Sequence, residues 1–181
     1  MVDIETLGIN PGCSILSIGA TMFDQTTLYD TFYIEICRKS CKTFNLIEEP
    51  NTVDWWNNQK LPIPNGSIPI DLALNTFFLW YSNAPQKIQG VWANSPSFDL
   101  AILRHATLQF RHWPISYHLE RDVRTIKNLF FRNIKLKNTH HALGDAKNQT
   151  ILVQIALNLL ETYHEARPIQ PSCQHHRAQN N

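Results

Sequence analysis

The rhythm of apolar and polar positions changes about a fifth of the way along the chain. Met1–Thr6 reads as a short extended stub that ends at a Gly8…Pro11-Gly12 turn. Cys13–Phe23 and Leu28–Cys37 are rich in Ile, Tyr, Phe and Thr, and Asp24–Thr27 between them predicts a hairpin turn. Helical signals follow. Thr52 is placed to cap a helix through Gln59, stopped by Pro62 and Pro64. Ile70–Ser82 is apolar enough for a buried helix, and Ile88–Ala93 is a compact strand candidate. Ser95 or Ser97 is placed to cap a helix to about Phe110, and Arg121–Phe131 reads as a further helix. Ala142–Tyr163 carries Ile151, Ile155, Leu159 and Leu160 at helical spacing, which predicts a long amphipathic helix. Strands first, then alternating strand and helix, predict an α/β fold with a mixed sheet flanked by helices.

Composition narrows the class. With 181 residues and 43% hydrophobic content, the chain is most simply one domain, 1–166, that buries a sizeable core. From Arg167 the chain turns polar, with Pro168, Pro171, His175 and His176, and this tail is expected not to pack. No apolar run approaches the ~20 residues of a membrane helix. Acids stand where a signal peptide would be basic, and the four cysteines make no Cys-x-x-Cys pair, which together point to reduced thiols in a cytoplasm.

Net charge is only +1, but its distribution is uneven. Residues 1–50 hold seven acids against three bases, net −4, whereas 104–137 hold eight bases against two acids, net +6. An acidic end beside a basic segment suits a phosphate-backbone substrate, and Arg132, Lys135 and Lys137 are candidates for contacting it. A solvated charged surface would show the same pattern.

Chemistry concentrates in a few residues. Asp3 and Glu5 are two apart, so on a strand both point to one face. Asp99 follows Pro96 at the start of a helix, where it would also complement the helix dipole. His140, His141 and Asp145 stand together before the last helix. Four carboxylates gathered by folding repel one another unless cations neutralise them, and hard oxygens suit Mg²⁺ or Mn²⁺. A pair of such ions can clamp the oxygens of a phosphodiester while a base, most often histidine, deprotonates water. Asp122 suits a helix cap or an Arg124 partner better than a metal. On a helix Trp55 and Trp56 point about 100° apart, so both can pack in the core, or one can pack while the other, with Trp56 the candidate, stacks on a base.

Three segments, Asp-Ile-Glu-Thr-Leu-Gly at 3–8, Ser97-Phe-Asp-Leu-Ala-Ile-Leu-Arg and His140-His-Ala-Leu-Gly-Asp, resemble the three motifs of the DEDDh 3′–5′ exonuclease superfamily. With Trp55-Trp56 and Arg121-Asp-Val-Arg-Thr they are similar to a branch of small phage and bacterial 3′–5′ exonucleases, over residues 1 to about 163. The resemblance implies an RNase H-like fold and a two-metal mechanism with two Mg²⁺ or Mn²⁺. Asp3, Glu5 and Asp145 would hold one ion, Asp3 would bridge to the second, and Asp99 would complete the cluster. The pattern His-x-Ala-x-x-Asp fits His140 with Ala142, so His140 is implied as the base and His141 as packing or solvent-facing. Thr6, Leu7 and Gly8 would touch the terminal nucleotide, with Leu7 either wedged against its base or packed as an ordinary core leucine. The family also has homodimers, though no interface is legible here, and its members precede the first acid with a longer apolar lead-in than Met1-Val2. The implied substrate is a single-stranded DNA or RNA 3′ end, shortened by one nucleoside 5′-monophosphate at a time. Nothing in Thr6–Gly8 is built to demand a ribose, so both sugars are expected, with DNA slightly favoured. A non-catalytic nucleic-acid-binding domain and a metal-dependent endonuclease are the rival readings.

Overall fold

The computed structural model describes residues 1–59, 61–134 and 138–166, so the tail expected beyond Arg167, with Lys135 and Lys137, lies outside the described residues. Five strands form one mixed sheet: β1 (Val2–Thr6), β2 (Ile15–Phe23), β3 (Leu28–Glu35), β4 (Val91–Ala93) and β5 (Glu120–Asp122), in the order β3-β2-β1-β4-β5. β2 pairs antiparallel with β1 and β3, whereas β4 runs parallel to β1 and β5 parallel to β4. β1 is therefore central, and all five of its residues are buried.

Six α-helices accompany the sheet among the described residues: α1 (Arg38–Thr43), α2 (Pro50–Asn58), α3 (Ile70–Ser82), α4 (Asp99–Leu108), α5 (Val123–Phe130) and α6 (Ala142–Ala166). α3 and α4 cover one sheet face. There Ile70, Leu74, Phe77 and Phe78 of α3 and Leu100 and Leu103 of α4 pack with Val2, Ile4, Ile18 and Phe32. Each such side chain contributes roughly 1.5–3 kcal/mol on burial. α6 covers the other face.

Several elements differ from expectation. The Asp24–Thr27 turn forms, held by Asp24 Oδ1, which accepts the Thr26 and Thr27 N–H groups at 2.8 and 2.7 Å. α2 begins at Pro50 rather than after Thr52, because proline's fixed φ suits the first helical position. Neither Ser95 nor Ser97 caps α4. Their hydroxyls bond each other at 2.8 Å, while Asp99 accepts the Ser95 N–H at 3.3 Å. Arg121 and Asp122 belong to the edge strand β5, and Asp122 caps α5 through the Thr125 N–H at 3.1 Å. α1 went unanticipated.

The helix expected over 142–163 forms as α6, and its buried face is not the one that carries those apolar residues. Ile151, Ile155 and Leu159 are exposed, and the helix buries Ala142, Asp145, Ala146, Gln149, Thr150, Leu152, Val153 and Ala156 instead. Close approach explains it. A Cβ on Gly19 of β2 would lie 2.1 Å from the Leu143 nitrogen and 2.2 Å from the Ala142 carbonyl carbon. Backbones that near leave space only for small side chains, so the first turns of α6 seat on alanine, and a Thr21–Thr150 hydroxyl pair at 2.6 Å locks the seat. No helix among the described residues is long and apolar enough to cross a membrane.

Candidate active site

Three elements converge on a cavity of about 670 Å³. β1 contributes Asp3 and Glu5, paired across to Gly19 and Ser17 of β2. The tight seat at Gly19 brings Asp145, in the first turn of α6, over the same strand. Oxygens of Asp3, Glu5 and Asp145 all lie within 4.8 Å of one another. Asp99, in the first turn of α4, stands outside that triad but is buried beside it, and its charge acts on Asp3.

Burial beside one another perturbs these acids. Asp3 is held well above the usual carboxylate range, first by desolvation and then by Asp99, with a hydrogen bond from Gln149 opposing the shift and Glu5 and Asp145 adding to it. Glu5 is pushed up to about 8 by desolvation, Asp145 and Asp99. Asp99 is pushed up to about 7 by desolvation, against backbone N–H groups of Ser95 and Ile4 and the guanidinium of Arg124. A set of buried hard oxygens that resists ionising for want of positive charge fits a divalent cation of the Mg²⁺ or Mn²⁺ kind.

The two histidines part company. His140 lines the cavity, with its ring edge-on to Trp55 at 4.8 Å. Its backbone is left-handed, φ 50°, a strained state for a non-glycine residue. The loop before α6 is held there by Asp145, which accepts the Thr139 N–H and hydroxyl at 2.8 Å each and the His140 N–H at 3.0 Å. His141 is exposed, stacks on Tyr33 at 4.5 Å, and accepts the Gly144 N–H on Nδ1 at 3.2 Å, which satisfies a free amide of the first α6 turn.

Among the residues expected at the substrate, Thr6 and Gly8 line the cavity, and the Thr6 hydroxyl donates to Gly8 O at 2.6 Å. Leu7 does not. Pairing of β1 with β2 slips between Glu5 and Thr6, so Leu7 leaves the face of the acids and is fully buried with Leu16 and Trp56. Trp56 is 1% exposed and donates its indole N–H to Thr6 O at 2.9 Å, so it supports the wall. Trp55, 39% exposed at the cavity, is the tryptophan with a free surface.

Arg132 is exposed away from the cavity and donates to Asn128 O. Much of the basic segment serves the fold: Arg104 pairs with Glu120 and lies over Trp113, Arg111 bonds Asn75, and Arg121 bonds carbonyls of His118 and Glu120. Among its described residues, the cations on the cavity are Arg124 and Lys127, neither of which was expected to contact substrate. Their spacing of three behind the Asp122 cap, on one face of α5, was the available signal.

A family model described as the Rv2179c-like 3′–5′ exoribonuclease domain matches residues 1–157. The chain belongs to the Rv2179c-like 3′–5′ exoribonuclease family. No curated protein matches. Among solved structures, the crystal structure of cell-death related nuclease 4 (CRN-4) is similar in fold, with a TM-score of 0.55 at 10% identity. The likeness covers 87% of this chain but only 63% of that one.

Proposed function

We propose that the chain is a divalent-metal-dependent 3′–5′ exonuclease of the DEDDh type, acting on single-stranded or frayed 3′ ends and releasing nucleoside 5′-monophosphates. The observation that carries this is the buried triad Asp3, Glu5 and Asp145, all within 4.8 Å, sharing one cavity with Asp99 and His140. Asp3, Glu5 and Asp145 would hold a cation, with Asp99 beside them for a second. Mg²⁺ or Mn²⁺ bound there supplies an activated water and positive charge against the reacting phosphate.

The remaining work falls to the chain's own groups. His140 accepts the proton of the attacking water, held at the cavity by Asp145 through its backbone N–H. Trp55 stacks on a base near the 3′ end, a contact worth roughly 1–3 kcal/mol. Arg124 and Lys127 pair with backbone phosphates on the strand leading into the site. The family's description makes RNA the first substrate to try. The hydroxyl proton of Thr6 is committed to Gly8 O, so that residue offers a 2′-OH no free donor and DNA remains acceptable.

A 5′-labelled oligonucleotide, as RNA and as DNA, incubated with Mg²⁺ or Mn²⁺ tests the reading. Stepwise shortening from the 3′ end, abolished by EDTA, is expected. Internal cuts, retention without cleavage, or full activity in EDTA would overturn it.

A further inference from the structure

Gln149 lies one helical turn beyond Asp145 on the buried face of α6, and it lines the same cavity. Only 5% of its surface is exposed, although glutamine is rarely buried without a reason. Its Nε2 donates to Asp3 Oδ1 at 2.7 Å. Its Oε1 is buried and has no hydrogen-bond partner. Neither end of this amide is explained by packing. A methionine or leucine would fill the space without the cost of about 1–3 kcal/mol that an unsatisfied buried polar atom carries.

Resting on the metal reading above, we propose that Gln149 is a positioning residue for the cation site. Its N–H fixes the Asp3 carboxylate by one oxygen, and its Oε1 accepts a hydrogen bond from water in the cation's coordination shell. The chemistry argues for this division. A ligating carboxylate needs an outer partner to hold its orientation, and a neutral amide does so without adding a fifth negative charge to a site already crowded with four. An acid at 149 would worsen the repulsion, and a lysine would compete with the cation for Asp3. A carboxamide is also the side chain that offers a donor and an acceptor together, so one residue can serve both Asp3 and water. The α-helical step of four places the amide beside Asp145, so α6 delivers a ligand and the orienter of a second ligand from one face.

Direct Mn²⁺ binding, followed by the loss of the free-ion EPR signal, separates this role from packing. Gln149→Met and Gln149→Leu keep the volume and remove both polar ends. Each is expected to weaken Mn²⁺ binding about 10–100-fold, the usual worth of an outer partner, while the protein stays folded by circular dichroism. Phe77→Ala, in the core on the opposite face of the sheet, lowers Tm but should bind Mn²⁺ like the wild type. Unchanged affinity in the Gln149 variants, or an equal loss in Phe77→Ala, would overturn the inference alone. Absence of Mn²⁺ binding by the wild type would overturn the metal reading and this inference with it.

Discussion

α3 and α6 lie on opposite faces of one sheet and are built on opposite plans. α3 buries Ile70, Leu74, Phe77 and Phe78, large side chains that pack into the main core cluster. α6 buries Ala142, Ala146 and Thr150 along its first turns, then Leu152, Val153 and Ala156, and turns Ile151, Ile155 and Leu159 outward. The first arrangement maximises apolar burial. The second gives up apolar area for proximity, so that Asp145 and Gln149 reach the acids of β1. The lesson is that a stability helix and a site helix can be distinguished by what they bury, and that the larger apolar face need not be the inner one.

Substitutions can break the two plans separately. Asp145→Asn should abolish hydrolysis while leaving a folded protein, since it removes a ligand and relieves repulsion. Phe77→Ala should cost about 3–5 kcal/mol of stability yet leave activity per folded molecule near wild type. Denaturant melts beside initial rates read both, and an active Asp145→Asn enzyme would contradict the contrast.

Next in size, His140→Ala should slow hydrolysis about 10²–10⁴-fold, the range of a general base. His141→Ala should remove an amide acceptor at the start of α6, at a cost of about 0.5–2 kcal/mol in stability, with a much smaller loss of rate. Single-turnover rates compare them, and a reversed order would move the base to His141.

Gly19→Ala tests the close seat itself. The added methyl meets backbone atoms of Ala142 and Leu143, which cannot turn aside. A destabilisation of about 1–3 kcal/mol is expected from overpacking, with rate loss beyond what the unfolded fraction explains because Asp145 moves with the helix. A rate loss matching the unfolded fraction would mean the seat is purely structural.

Trp55→Ala should weaken binding of single-stranded oligonucleotides by about 1–3 kcal/mol with little change in Tm, measured by fluorescence anisotropy in Ca²⁺. Unchanged binding would remove Trp55 from the substrate path.

Much of this was legible in the chain. Two acids at spacing two fix a shared strand face, and burial of Ile70–Ser82 follows from its composition. What escaped has physical causes. Leu7 follows Asp3 and Glu5 at even spacing, but the register slip after Glu5 is set by pairing with β2, which the sequence of β1 does not record. The outward turn of Ile151 and Ile155 depends on Gly19, more than a hundred residues away. The basic segment 104–137 pointed to a phosphate substrate by its charge alone, and charge counts do not reveal partners such as Glu120, which takes up Arg104. Arg124 and Lys127 gained their place only from the docking of α5.

Stability against pH, with and without Mn²⁺, tests the central claim most directly. Glu5, pushed up to about 8, and Asp99, pushed up to about 7, bind protons more tightly folded than unfolded. Folding of the metal-free protein is therefore penalised as these groups ionise: the penalty is absent below the ordinary carboxylate range near pH 4 and complete above about pH 8. Tm measured in EDTA should fall from pH 5 to pH 8. With Mn²⁺ at about 100 times its Kd the protein should gain about 2.7 kcal/mol at pH 8 and much less at pH 5, where protons compete. Asp145→Asn should lose most of that gain. A Tm that Mn²⁺ leaves unchanged at pH 8, or raises equally at both pH values, would contradict a buried carboxylate cluster built to hold a divalent cation.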